Sequence, residues 1–96
     1  MNFHQGDVIL ERIDKIPAGA KFVRKNVVKH GEVTGHAHVI EDCEIYELDG
    51  VVYVRVVEAN PMTHEDHPAT EVIPAVDYRR RIQMEYFPDG SRQVKD

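Results

Sequence analysis

The sequence predicts an all-β domain, a small barrel or sandwich of about six to eight short antiparallel strands. Three observations predict it. β-branched residues and period-2 alternation dominate, and no segment carries a helical stripe of apolar residues. Turn signals recur every ~8–12 residues. The 96 residues make one domain, 1–96, with a small core. In a chain this short, a closed or nearly closed barrel also limits exposed sheet edges.

The elements follow in chain order. Asp7 to Ile13 reads as the first strand, and Ile16-Pro17-Ala18-Gly19-Ala20 as a turn. Phe22 to Val28 and Val33 to Ile40 are candidate strands broken near Gly31 and Gly35. The strongest local signal is a hairpin. Cys43 to Leu48 leads through Asp49-Gly50 into Val51 to Glu58, and Asp-Gly suits the positive φ angles of a type I′ turn. Val52, Val54 and Val56 share one face of the second arm, while Val51, Tyr53, Arg55 and Val57 share the other. Both faces are largely apolar, so this strand is expected at the centre of the sheet. Asn60-Pro61 stops it, and residues 61–70 form a loop bounded by Pro61 and Pro68. Glu71 to Ile73 is a short strand ended by Pro74. Asp77 to Phe87 alternates again, with Tyr78, Ile82, Met84 and Tyr86 on one face, interrupted by Arg80. Pro88-Asp89-Gly90 is a turn, and the polar tail beyond it is either frayed or a final edge strand.

Composition excludes several classes. With 42% hydrophobic and 30% charged residues the chain is globular rather than disordered. Twelve Lys and Arg against 17 Asp and Glu give a net charge of −5, which argues against general binding to nucleic acid or anionic membrane. The one basic run, Arg79-Arg80-Arg81, is split by strand geometry, because Arg80 points opposite to its neighbours. No apolar run approaches the ~18 residues of a membrane span, and the first residues lack the apolar region of a leader. The expected location is the cytoplasm, or a virion assembled there. Cys43 is the single cysteine, so neither an intrachain disulfide nor a zinc ribbon can form. It reads as a small core residue.

The histidines carry the functional signal. Four of six fall into two doublets, His36/His38 and His64/His67. On a strand, residues two apart project to the same side, so His36 and His38 are expected to point together. His64 and His67 lie in the Pro-bounded loop, where a turn can bring one or both to the first pair. The four make a candidate metal site, His36, His38, His64 and His67, with Glu32, Glu41, Glu65 or Asp66 as a nearby carboxylate. Nitrogen and oxygen donors without thiolate suit a divalent transition metal, with zinc favoured and Fe, Mn, Ni or Cu as alternatives. His64-Glu65-Asp66-His67 is not the zincin spacing, which excludes that type of metalloprotease. In an enzymatic version Glu65 or Glu32 would transfer the proton, and Tyr86 and Gln83 would orient ligand or supporting groups. The competing reading makes these residues surface or structural histidines, or a pH-responsive patch at a subunit contact. His4 and His30 have no neighbour in sequence and read as surface residues.

The stretch Gly31-Glu32-Val33-Thr34-Gly35-His36-Ala37-His38, with His64-Glu65-x-His67 and Gln83-x-Glu85-Tyr86-x-Pro88, resembles a family of small, functionally uncharacterised proteins of bacteria and their phages. The likeness runs from near Gln5-Gly6-Asp7 to the C-terminus. It implies that Glu32, Thr34, Glu65, Gln83, Glu85 and Tyr86 belong with the histidines, and it implies no activity. A second, looser pattern is similar to cupins, which bind a metal inside a small β-barrel. Gly31, His36, His38 and His64 after Pro61 would match, with Glu41 or Glu44 as the carboxylate. The carboxylate spacing departs from that pattern, and Met62 or Thr63 stands where cupins carry a glycine. The resemblance implies a barrel and a metal, and no cupin activity.

Two functions from different classes follow. One is a metal-binding barrel, enzymatic or not, in which an ion ties a strand to a loop. The other is a structural or assembly protein, such as a virion accessory or a ring-forming homo-oligomer, with histidines at an interface. A co-chaperonin-like barrel has only the chain length and the opening Gly6-Asp7-Val8-Ile9-Leu10-Glu11-Arg12 to support it.

Overall fold

The computed structural model describes residues 1–31, 35–87 and 90–93. Among them there is no helix, and eight antiparallel strands form a nearly closed barrel-shaped sheet, as the alternation predicts. The strands of this sheet are β1 (Asn2–Gln5), β2 (Val8–Arg12), β3 (Lys21–His30), β4 (Ala37–Leu48), β5 (Val51–Val56), β6 (Asn60–Thr63), β7 (Val72–Ile73) and β8 (Asp77–Ile82). A separate two-stranded ribbon joins β9 (Met84–Phe87) to β10 (Gly90–Gln93).

The order across the sheet is β1-β2-β8-β5-β4, with β3 on the far edge of β4. The near edge of β4 is shared. From Cys43 onward it pairs with β5, while Val39 and Ile40 pair with Thr63 and Met62 of β6. β7 then pairs with β6. The second hairpin arm is therefore central, between β4 and β8. Its turn has φ of 51° at Asp49 and 79° at Gly50, as a type I′ turn requires.

Several boundaries differ from expectation. The first strand is two, β1 and β2, joined by a tight turn at Gly6-Asp7 with positive φ at Gly6. Gln5 pairs with Val8 across it. Val33–Ile40 and Cys43–Leu48 are not separate strands, since β4 runs unbroken from Ala37 to Leu48. Val33 and Thr34 lie outside the described residues, as do Glu32, Pro88 and Asp89. The reason for the merger is a local bulge. Asp42 takes φ 56°, which reverses the inward face without ending the strand. His38 and Ile40 are buried before it, and Cys43 and Ile45 after it. Cys43 therefore shares the interior with His38, where straight alternation would have sent it to the other face. Asn60-Pro61 opens β6 instead of a loop, and Pro61 pairs only with Val72 of the short β7. Asp77–Phe87 is broken at Gln83, whose N–H donates to the Asp7 carbonyl (2.8 Å).

The core is one apolar cluster. Val8, Leu10, Ile40, Val54, Met62 and Tyr78 are its fully buried centre. Phe3 meets Tyr78 edge-to-face at 6.0 Å, and the Tyr78 hydroxyl donates to the Pro74 carbonyl. Two side-chain ties cross the barrel between strands that are not sheet neighbours. Arg80 of β8 donates through Nη1 to the Val28 carbonyl of β3 (3.0 Å). Lys29 of β3 pairs with Asp7 of the first turn (3.1 Å). Arg79 and Arg81 both pair with Glu11 instead, so the basic run is split between two faces as strand geometry requires.

Candidate functional site

The Gly6-Asp7 turn, the end of β3, the start of β4 and the turn after β6 meet at one end of the barrel. Each contributes a polar side chain that the fold buries there. Asp7 and His38 are 0% exposed, and Gln5, Lys29 and His64 are close to that. Such burial of ionisable groups is costly unless they are paired.

The pairing starts at Gln5. Its amide nitrogen donates to the carbonyls of Met62 (3.0 Å) and Pro68 (2.9 Å). Two carbonyl partners fix which end of the amide is nitrogen, so Oε1 faces His38 and accepts from Nδ1 at 3.0 Å. Neutral His38 therefore carries its proton on Nδ1 and a lone pair on Nε2. Burial is the main reason His38 stays neutral: its pKa is lowered to about 4, with nearby His64 adding to the effect and Asp7 opposing it. The Nε2 lone pair stands 3.4 Å from Asp7 Oδ1, while Asp7 Oδ2 takes the Lys29 ammonium.

His64 packs against His38 at a tilt, and His67 lies nearly parallel to His38. Ring centroids are 4.4 Å apart for His38–His64, 4.6 Å for His64–His67 and 6.1 Å for His38–His67. The Nε2 atoms of His38, His64 and His67 are all buried without a hydrogen-bond partner. The turn carrying the second doublet is tight. His64 and His67 form an isolated antiparallel bridge, and the Asp66 N–H donates to His64 Nδ1 at 2.9 Å. In neutral His64 that contact puts the proton on Nε2. Gly6 lies directly beneath His67, where a Cβ would sit 2.7 Å from Nε2, and its φ of +56° also disfavours a side chain.

Of the four histidines expected together, the structure brings three to one point. His36 precedes β4, beside the bend at Gly35, so no strand fixes it to the side of His38. It is partly exposed, its Nδ1 lies 2.7 Å from Asp66 Oδ2, and its ring is 5.9 Å from that of His64. Glu65 turns outward, where Oε1 accepts the Ala37 N–H (3.2 Å), and hydrogen bonds from backbone N–H groups lower its pKa. Glu41 and Glu44 lie along β4 towards the hairpin, with Glu44 accepting from the Tyr46 hydroxyl. Gln83 reaches the Asp7 carbonyl through its backbone N–H. Gln5, Asp7 and Lys29 were not among the expected site residues, and no local spacing marks them. Among the described residues, no group of three or more His, Cys, Asp or Glu side chains already stands in a geometry that could hold a metal ion.

The fold and this cluster define a small β-barrel with buried imidazoles at one end. The chain belongs to the family described as a domain of unknown function, DUF8820, whose model matches residues 4–83. That span includes Gln5, Asp7, Lys29 and all three clustered histidines. No curated protein and no solved structure matches the chain.

Proposed function

We propose that this protein binds one divalent transition metal ion, zinc by preference, through Nε2 of His38 and His67 and Oδ1 of Asp7, with His64 completing the set. One observation carries the reading: three buried imidazole nitrogens without hydrogen-bond partners belong to one cluster of rings. Rings bound to one zinc at ~2.0–2.1 Å with tetrahedral angles have centroids roughly 5 Å apart. The separations of 4.4, 4.6 and 6.1 Å straddle that value. The Nε2 lone pair of His38 and Oδ1 of Asp7, 3.4 Å apart, are two donor atoms that one ion can share. Burial keeps His38 neutral near neutral pH, so its lone pair is available to that ion. Gln5 and Lys29 act as supporting groups, one setting the His38 tautomer and the other holding the far oxygen of Asp7.

His64 explains why the cluster is not already drawn together. Its Nδ1 accepts the Asp66 N–H, so Nε2 ligation requires the turn to release that bond and the ring to change tautomer. The ion would supply the energy for this exchange. Zinc analysis of chelator-stripped, reconstituted protein tests the reading. The expected result is close to one ion per chain, lost in His38→Ala and His67→Ala and kept in His36→Ala. Absence of zinc after reconstitution would overturn it, as would a His36→Ala defect equal to that of His38→Ala.

A further inference from the structure

The strand β3 differs from the rest of the chain in charge and in position. It holds four of the 12 Lys and Arg and none of the 17 Asp and Glu, in a chain of net charge −5. Among the described residues it pairs with β4 alone, and no backbone group of residues 21–25 is bonded outside that ladder. This half of β3 is an open edge against which another extended chain can lie.

The side chains on that edge select the kind of chain. The register slips between Phe22 and Arg24, which leaves Val23 as the extra residue of a bulge. Straight alternation would turn one of Phe22 and Val23 inward. With the bulge, Phe22 is 53% exposed and Val23 45%. The Phe22 ring rests edge-to-face on Tyr46 at 5.8 Å, which holds it against the sheet. Lys21 and Lys25 flank this apolar pair and are exposed. Glu47 and Glu44 stand opposite them on β4, but among the described residues neither lysine forms an ion pair. Glu44 accepts the Tyr46 hydroxyl instead. A second copy does not fit this edge. Antiparallel self-pairing about Val23 would set Lys21 of one copy against Lys25 of the other, and β3 has no acid to relieve the repulsion.

We propose that residues 21–25 dock an extended acidic segment of a partner protein, its carboxylates meeting Lys21 and Lys25 and its apolar side chains covering Phe22 and Val23. The inference is independent of the metal-binding reading. The probe is a short, blocked, fluorescent peptide with glutamates on both sides of two valines, and its control has lysines in place of the glutamates. Anisotropy titration of the full chain is expected to show saturable binding of the glutamate peptide alone, weakening as salt is added. Lys21→Gln with Lys25→Gln is expected to weaken it at least roughly tenfold, and Val23→Ser to weaken it as well. Arg12→Gln with Arg81→Gln removes the same charge from β2 and β8, which β5 and β4 separate from β3, and is expected to bind as the parent does. Absence of binding by the glutamate peptide would overturn the proposal, as would equal binding of the lysine peptide or an equal loss in the Arg12 and Arg81 variant. Vesicles of phosphatidylserine and phosphatidylcholine form the last arm. If they bind through Lys21 and Lys25 and the peptide does not, the edge meets a membrane surface and the peptide reading is wrong.

Discussion

At the scale of single residues, the histidine cluster depends on groups outside it. Gln5 spends both amide protons on the Met62 and Pro68 carbonyls and its oxygen on His38. Gln5→Leu removes all three contacts and frees the His38 ring to rotate or change tautomer. Loss of such a supporting partner costs roughly 10–100-fold in metal affinity, and a competition titration against a chromophoric chelator would read it. An unchanged affinity would show that Gln5 does not orient His38. Gly6 is constrained twice, by its positive φ and by His67 Nε2 above it. Gly6→Ala is expected to cost about 1–2 kcal/mol from the backbone alone, seen in urea unfolding of metal-free protein, and further affinity by displacing His67. Neither residue was legible as part of the site, because their partners lie 33 to 63 positions away in sequence. The histidine doublets were legible as a cluster, since local spacing marked them. Which three would converge was not, because β4 begins at Ala37 and leaves His36 outside it.

At the scale of elements, period-2 alternation and Asp-Gly chemistry located the strands and the β4–β5 turn. Long-range bulges stayed hidden. Asp42 and Asn26 both have positive φ on paired strands, and Asn26 Oδ1 accepts the Cys43 N–H (3.1 Å). Asp and Asn tolerate that conformation, but they do so equally in turns, so the residue type could not distinguish a bulge from a strand end. Asp42→Val should cost about 1–2 kcal/mol, whereas Asp42→Gly should cost little or stabilise, since only the former is strained at φ 56°. Equal effects by chemical denaturation would mean that the bulge is held by packing instead. The same inversion seats Cys43 inside, where burial pushes its thiol up to about 11. The native thiol should resist disulfide exchange reagents at pH 8 and react on unfolding. The pKa is raised in the folded state, so this contribution to stability is complete below about 9, the unfolded value, and declines as pH rises towards 11.

At the scale of the whole molecule, the sheet order alone does not close the barrel. Among the described residues β1 and β3 do not pair, and two side-chain contacts link β3 across the gap: Arg80 of β8 to Val28, and Lys29 to Asp7 in the turn after β1. The second of these lies in the proposed metal centre. An ion held by Asp7, His38 and His67 would therefore join the first turn, the start of β4 and the turn after β6, three segments far apart in sequence. Binding to the folded state alone adds about 2.7 kcal/mol at a hundredfold excess of free ion over Kd. For a domain this small, each kcal/mol raises Tm by roughly 4–8 °C, so zinc should lift the melting temperature on the order of 10 °C. Calorimetry of stripped and zinc-loaded protein measures it. His38→Ala should remove the zinc-dependent increment, whatever its cost to the metal-free fold, and His36→Ala should keep it. If zinc raises Tm equally in His38→Ala, the ion sits elsewhere, and closure of this end rests on the Lys29–Asp7 pair without it.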